Sequence, residues 1–181
     1  MEFRELEIKG VFEIVLSPHL DERGFFMRTY DAELFKKHGL HREWVQESHS
    51  RSERKGIIRG LHFQLEPYAE TKLVRCIRGE IFDVAVDLRK GSKTFGKWEG
   101  IILSEENRKM LLIPRGFAHG FCTLTDISEV VYKVDSVYSP EHERGLIWND
   151  PDLNIDWPEP NPVLSQKDKQ NITLKQFMEH G

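Results

Sequence analysis

The run Arg59-Gly60-Leu61-His62-Phe63-Gln64 is the densest stretch of chemistry-bearing residues in the chain. On a strand, Gly60, His62 and Gln64 share one face, and a glycine beside the histidine leaves room for something to approach the imidazole. A lone histidine in a β-rich protein is more often structural than catalytic, so its company decides. That company is Lys72, Tyr132, Tyr138 and Asp168. Together these types can remove and return a proton on a carbon beside a ketone. Such a proton is very weakly acidic. Its removal takes a base and, at the same moment, stabilisation of the oxygen that becomes an enolate. Histidine, with a pKa of about 6.5, is neutral and basic at pH 7. A buried carboxylate such as Asp168 orients it and stabilises the imidazolium. A lysine ammonium beside the oxyanion lowers the barrier electrostatically. Inversion then requires a proton on the opposite face. A tyrosine can deliver it, from a pKa of about 10 that an adjacent cation lowers. Spacing does not bring these residues together. By itself Lys72 also reads as a solvated strand end, Tyr132 as half-buried core, and Ser165-Gln166-Lys167-Asp168 as a polar helix start.

The elements that must position them read mainly as strands. Phe82, Val84, Val86 and Leu88 alternate with Asp83, Ala85 and Asp87, a period-two pattern. Lys72 to Arg78 forms another such run, with Arg78-Gly79-Glu80 as the tight turn between the two. Further strands are expected over Phe25 to Tyr30, Val45 to Ser50, Ile57 to Gln64, Trp98 to Leu103, Lys109 to Ile113, His119 to Leu124 and Glu129 to Val134. Pro114-Arg115-Gly116 marks a turn. Asp31 is placed to cap a short helix over Ala32 to His38 that Gly39 ends, and a second helix is expected over Thr173 to Glu179. The segment from Asp150 to Pro162 is rich in Pro, Asp and Asn, and is expected to run as an extended surface loop before returning at Leu164. Short strands with Gly- and Pro-marked turns predict an all-β antiparallel sandwich or barrel.

The 181 residues suit a single domain spanning 1–181. A 39% hydrophobic and 31% charged composition is that of a soluble globular chain. Net charge is −4 and the pI is about 6.1. That balance argues against a partner held by bulk charge, such as nucleic acid, and leaves room for a local basic pocket. Two cysteines, Cys76 and Cys122, sit in apolar runs and read as buried small hydrophobes in a reducing compartment. The N-terminus lacks a basic start followed by an apolar stretch, and no apolar run approaches the roughly 20 residues that span a bilayer. The expectation is a cytoplasmic protein with no membrane partner.

Ordered motifs along nearly the whole chain carry a resemblance. They are Asp21-Glu22-Arg23-Gly24-Phe25-Phe26, Ser50-Arg51-Ser52, Ile58 to Gln64, Lys72 to Asp87, Ile113 to Phe121, Tyr138-Ser139-Pro140-Glu141, Trp148 to Asp152, Ile155 to Pro158, Leu164-Ser165 and Lys167-Asp168. In these the chain resembles the dTDP-4-dehydrorhamnose 3,5-epimerase family of the cupin superfamily. The resemblance implies a jelly-roll barrel with short peripheral helices, a homodimer, and a nucleotide-sugar substrate. The implied reaction turns dTDP-4-dehydro-6-deoxy-D-glucose into dTDP-4-dehydro-L-rhamnose, a precursor for polysaccharide biosynthesis. It needs no metal, nicotinamide or flavin, because no electrons leave the substrate.

The same resemblance implies roles. His62 matches the base and Asp168 its carboxylate partner. Lys72 matches the lysine beside the enolate oxygen, Tyr138 the acid on the opposite sugar face, and Tyr132 a second tyrosine in the pocket. Arg59 and His119 match residues near the diphosphate and sugar, and Gln46 a polar pocket residue. Arg23 and Phe26 match a segment that reaches the nucleotide across the dimer. Arg28 stands where the family often has Glu, and Ser48 where it usually has Asn. Both changes touch ligand recognition and leave the nucleotide open between dTDP, CDP and another carrier. Three rivals remain: inversion of one centre or a 3,4-ketoisomerisation on the same scaffold, a metal-dependent cupin built on His62, Gln64, Glu70 and His119, and a non-catalytic nucleotide-sugar binder. Gln64 weakens the metal reading, since a neutral amide is a poor transition-metal ligand beside imidazole.

Overall fold

Two antiparallel sheets face each other in the computed structural model, which describes residues 1–180. Six strands form the first: β1 (Glu2–Glu5), β2 (Phe12–Val15), β5 (Gln46–Ser52), β7 (Lys72–Arg78), β10 (Lys109–Ile113) and β12 (Ser128–Val134), in the order β1-β2-β10-β7-β12-β5. Five form the second: β6 (Ile58–Gln64), β8 (Glu80–Asp87), β9 (Trp98–Ser104), β11 (Phe117–Thr123) and β13 (Glu143–Gly145), in the order β13-β6-β11-β8-β9. The chain changes sheet between β5 and β6, β6 and β7, and β7 and β8. This is the expected jelly-roll arrangement of two sheets with crossing connections. A two-stranded ribbon, β3 (His19–Asp21) with β4 (Gly24–Phe26), stands apart from both.

Side-chain alternation explains the layering. On β7, Val74 and Cys76 join Leu111, Ile113, Phe121 and Val130 in the core between the sheets. Leu73 points the other way, into a cluster with Ile14, Met110, Leu112 and Phe35 of α1 (Ala32–Lys37). Asp31 caps α1 as expected, its carboxylate accepting from Leu34 N–H, and Gly39 follows with φ +71°. On β8 both faces are buried: Ala85 faces the inter-sheet core, while Val84 and Val86 face an outer cluster with Leu61, Phe63, Leu153, Trp157 and Leu174. Each fully buried branched or aromatic side chain contributes about 1.5–3 kcal/mol.

Three local expectations change. The strand expected over Phe25 to Tyr30 is only β4, because Met27 and Tyr30 turn to pack beside Phe35. The segment 150–162 is not a surface loop. Asp150 is buried and accepts from the N–H groups of Asp152, Leu153 and Leu174, while Trp157 donates to the Trp148 carbonyl. Those bonds dock Leu153 and Trp157 on the second sheet and lead into α2 (Leu174–His180). Gly60 does not make room for a ligand. It has φ +138°, and a Cβ there would lie 2.5 Å from Gly120 Cα, so the glycine admits the neighbouring strand β11.

Asp87, at the end of β8, is fully buried and accepts from Arg89 N–H, the Arg89 guanidinium, and the Ser92 and Thr94 hydroxyls. Burial pushes its carboxyl up, but those donors together hold it well below the usual range. A lowered folded-state pKa stabilises the fold above the ordinary carboxylate value of about 3.9, and that contribution fades as pH falls below it. Asp87→Asn is therefore expected to cost about 2–3 kcal/mol at pH 7. The gap from the natural protein should narrow between pH 4 and pH 2 in urea melts; a gap that stays constant across that window contradicts the assignment.

Candidate active site

His62 and Lys72 approach one cavity from opposite sheets. His62 lies on β6 of the five-stranded sheet, paired with His119 on one side and Gly145 on the other. Lys72 opens β7 in the six-stranded sheet, where it pairs with Val134 of β12. Two residues earlier on β12 stands Tyr132, whose ring centroid is 6.0 Å from Lys72 Nζ. Tyr132 packs on the inter-sheet core, which thus forms the floor beneath the site.

The imidazole of His62 is fixed by its partner. Its Nε2 lies 2.6 Å from Asp168 Oδ1. Asp168 begins a short 3-10 helix (Asp168–Gln170), is buried, and donates its backbone N–H to Ser165 Oγ. Burial raises its carboxyl pKa, but the His62 bond and charge, the Ser165 bond and the Gly60 N–H outweigh that, and the net direction is down. An ionised Asp168 requires the proton on Nε2, which leaves Nδ1 with the lone pair that can take a proton. A second pair sits nearby: His119 Nε2 is 2.7 Å from the fully buried Asp83 Oδ1.

The cavity has two chambers. The first, about 410 Å³, is lined by Arg59, His62, Lys72, His119, Tyr132 and Asp168, among others. The other, about 310 Å³, is lined by Gln46, Ser48, Glu70, Tyr138 and Glu143 and shares His62, Lys72 and Tyr132 with the first. The three shared side chains therefore stand at the junction. His62 comes from the five-stranded sheet, and Lys72 and Tyr132 from the six-stranded sheet. Arg59 lines the first chamber with its guanidinium held by Ser52 Oγ and the Arg51 carbonyl.

Tyr138 is placed differently. It follows β12 in a loop, is 55% exposed, and lines only the second chamber. Its hydroxyl donates to Glu143 Oε2 at 2.6 Å, and the Lys167 ammonium reaches the same oxygen at 2.5 Å. The neighbouring Lys167 cation lowers this phenol as expected of a cation, but it is outweighed. The bond to the Glu143 carboxylate, helped by burial, raises its pKa, and Lys167 only partly opposes it.

Arg23 and Phe26 line neither chamber. They lie on the exposed β3–β4 ribbon, where Arg23 pairs with Asp21. Arg28 also lies outside and pairs with the helix cap Asp31. Sequence reasoning missed Asp83, Glu143 and Lys167. Lys167 had a signal, being next to Asp168; Asp83 was hidden in an alternating strand and Glu143 in an ordinary charged run. The proposed metal set does not fit a metal. Glu70 is paired with the Lys72 ammonium, and Gln64 turns its NH2 group, not its carbonyl, to Glu70. Among the described residues no three His, Cys, Asp or Glu side chains converge to hold an ion.

The family model described as dTDP-4-dehydrorhamnose 3,5-epimerase matches residues 5–176. A dTDP-4-dehydrorhamnose 3,5-epimerase of Shigella flexneri is 58% identical over 149 residues, 82% of each chain. The crystal structure of the Bacillus anthracis enzyme of that name, with TDP and PPi bound, superposes with a TM-score of 0.93 at 44% identity, covering 96% of this chain and 99% of that one. An epimerase of Legionella pneumophila in complex with dTDP-4-keto-L-rhamnose superposes with a TM-score of 0.92 at 41% identity, covering 96% and 93%. The jelly roll, the paired imidazole and carboxylate, and these matches over nearly the full length place the chain in the dTDP-4-dehydrorhamnose 3,5-epimerase family.

Proposed function

We propose that the protein inverts C3 and C5 of a dTDP-linked 4-keto-6-deoxyhexose by deprotonation and reprotonation through an enolate, with His62 as base and Tyr132 as acid. The observation that carries this is the approach of His62 and Tyr132 from opposite sheets onto one cavity, with Lys72 beside Tyr132 on the second sheet. His62 Nδ1 takes the proton alpha to the C4 ketone. The C–H electron pair becomes the enolate, whose oxygen the Lys72 ammonium stabilises. Tyr132 returns a proton to the other face and regains one from solvent, and His62 releases the one it took. The sum is an isomerisation, with no change in oxidation state.

This reading moves the acid from Tyr138 to Tyr132. A phenol at the mouth that donates to a carboxylate is poorly placed to reach the far face of a sugar at the junction. Tyr138, with Gln46 and Ser48, instead suits the binding of the sugar from the side of the second chamber. Arg59 and His119 suit the diphosphate and sugar oxygens. The free, buried thiols of Cys76 and Cys122 accord with a reducing cytoplasm, and among the described residues no helix is long and apolar enough to cross a membrane.

A homodimer completes this reading. The ribbon exposes Leu20, Phe25 and Phe26 at 74%, 56% and 67%. Behind it, Arg108 stacks over Phe25. Arg23 and Phe26 then serve the partner's site.

With dTDP-4-keto-6-deoxyglucose as substrate, His62→Ala is expected to lower kcat by about 10³–10⁴ and to abolish hydrogen exchange at the alpha carbons. Tyr132→Phe should cut net inversion far more than exchange, while Tyr138→Phe should act mainly on KM. The reverse pattern for the two tyrosines returns the acid role to Tyr138, and full turnover by His62→Ala refutes the mechanism. Leu20→Asp with Phe25→Asp should shift the sedimentation coefficient from dimer to monomer; a natural protein that sediments as a monomer at micromolar concentration contradicts the shared site.

A further inference from the structure

A lysine side chain carries its charge on a flexible four-carbon stem, so an ammonium that must meet one oxygen has to be held. Lys72 is nearly buried at 8% exposure, and what holds it is Glu70. Glu70 Oε1 lies 3.2 Å from Lys72 Nζ. Its other oxygen, Oε2, accepts from Gln64 Nε2 at 3.1 Å. Both oxygens of this carboxylate are therefore engaged, one on the charge and one on the frame.

Gln64 is the frame. It is buried at the end of β6, and its NH2 group also faces the carbonyls of Tyr68 and Val137, at 2.9 and 3.2 Å. Its carbonyl accepts from Ser139 N–H at 2.6 Å. With a backbone N–H on one side and two carbonyls and a carboxylate on the other, the amide has one satisfied orientation. The loop that bears Glu70 is pinned as well, since Thr71 N–H donates to Asp135 Oδ1 at 2.6 Å. Val137 and Ser139 flank Tyr138, whose own N–H is held by Gln46. One buried amide thus ties the carboxylate behind Lys72 to the loop at the mouth of the second chamber.

We infer that Glu70, fixed by Gln64, is a positioning residue that holds the Lys72 ammonium against the enolate oxygen and registers it to the Tyr138 loop. The inference rests on the epimerase reading above. Glu70 lines the second chamber but acts through Lys72, so its loss should weaken the stabilisation of the transition state and leave ground-state binding nearly intact. A misplacement of about 1 Å at such a site costs on the order of 10²-fold in rate.

The test uses the full-length enzyme with dTDP-4-keto-6-deoxyglucose in deuterium oxide, following both inversion and exchange. Glu70→Gln is expected to lower kcat about 30- to 100-fold with KM within about threefold, and to lower exchange in parallel with inversion. Glu70→Asp, which keeps the carboxylate, should recover part of the loss. In a Lys72→Ala background Glu70→Gln should have no further effect, because the group it positions is gone. Equal losses in both backgrounds, a raised KM at unchanged kcat, or a lowered melting temperature with full kcat would each overturn the role. Absence of turnover and exchange in the natural enzyme would sink the epimerase reading and the role with it. An active natural enzyme with a fully active Glu70→Gln variant would sink the role alone.

Discussion

The bond between His62 and Asp168 joins residues 106 positions apart and sets what the cavity can do. Without a buried anion at Nε2, the imidazole would have neither a fixed tautomer nor a fixed plane. With it, Nδ1 is the basic nitrogen and the imidazolium formed on proton transfer has a counter-charge in contact. Much of the C-terminal third serves this contact. Asp150 gathers the N–H groups of its own turn and of Leu174, and Leu153 and Trp157 bury against the second sheet. The chain then returns along Ile57, through its bridge with Val163, and delivers Asp168 beside β6.

The jelly roll supplies the second requirement, two opposed walls. Inversion at carbon needs groups on both faces of a bound ring, and a single sheet presents only one. Here the five-stranded sheet carries the imidazole and the six-stranded sheet carries the ammonium and a phenol. The titratable side chains here come mostly in pairs. His62 faces Asp168, His119 faces Asp83, Lys72 faces Glu70, and Glu143 takes both Lys167 and Tyr138. An unmatched charge in such a cavity would cost more than the fold can easily supply.

Much of this was legible in the sequence, and the rest has physical reasons for being hidden. Strands β7 and β10 and the cap of α1 are written in local alternation and in Asp31, so they lie where expected. His62, Lys72, Tyr132 and Asp168 were named from their chemistry, and they share one cavity. The segment after Asp150 looked like a loop because Pro, Asp and Asn dominate it, yet two large apolar side chains and one buried carboxylate fix it to the sheet. Gly60 looked like space for a ligand, whereas the backbone of Gly120 occupies that space. The order of the two tyrosines could not be read at all. Which phenol enters the barrel depends on strand phase and on Glu143, a residue whose partnership with Tyr138 appears only when β13 folds beside β6.

The most direct measurement of a base and an acid on opposite faces is the isotopic content of product from the first turnover in deuterium oxide. Two separate groups require that every inverted carbon carry deuterium, because its new proton comes from a phenol equilibrated with solvent. Product whose inverted carbons keep the original protium would mean that one group carries the same proton from face to face. That result would contradict the opposed arrangement of His62 and Tyr132.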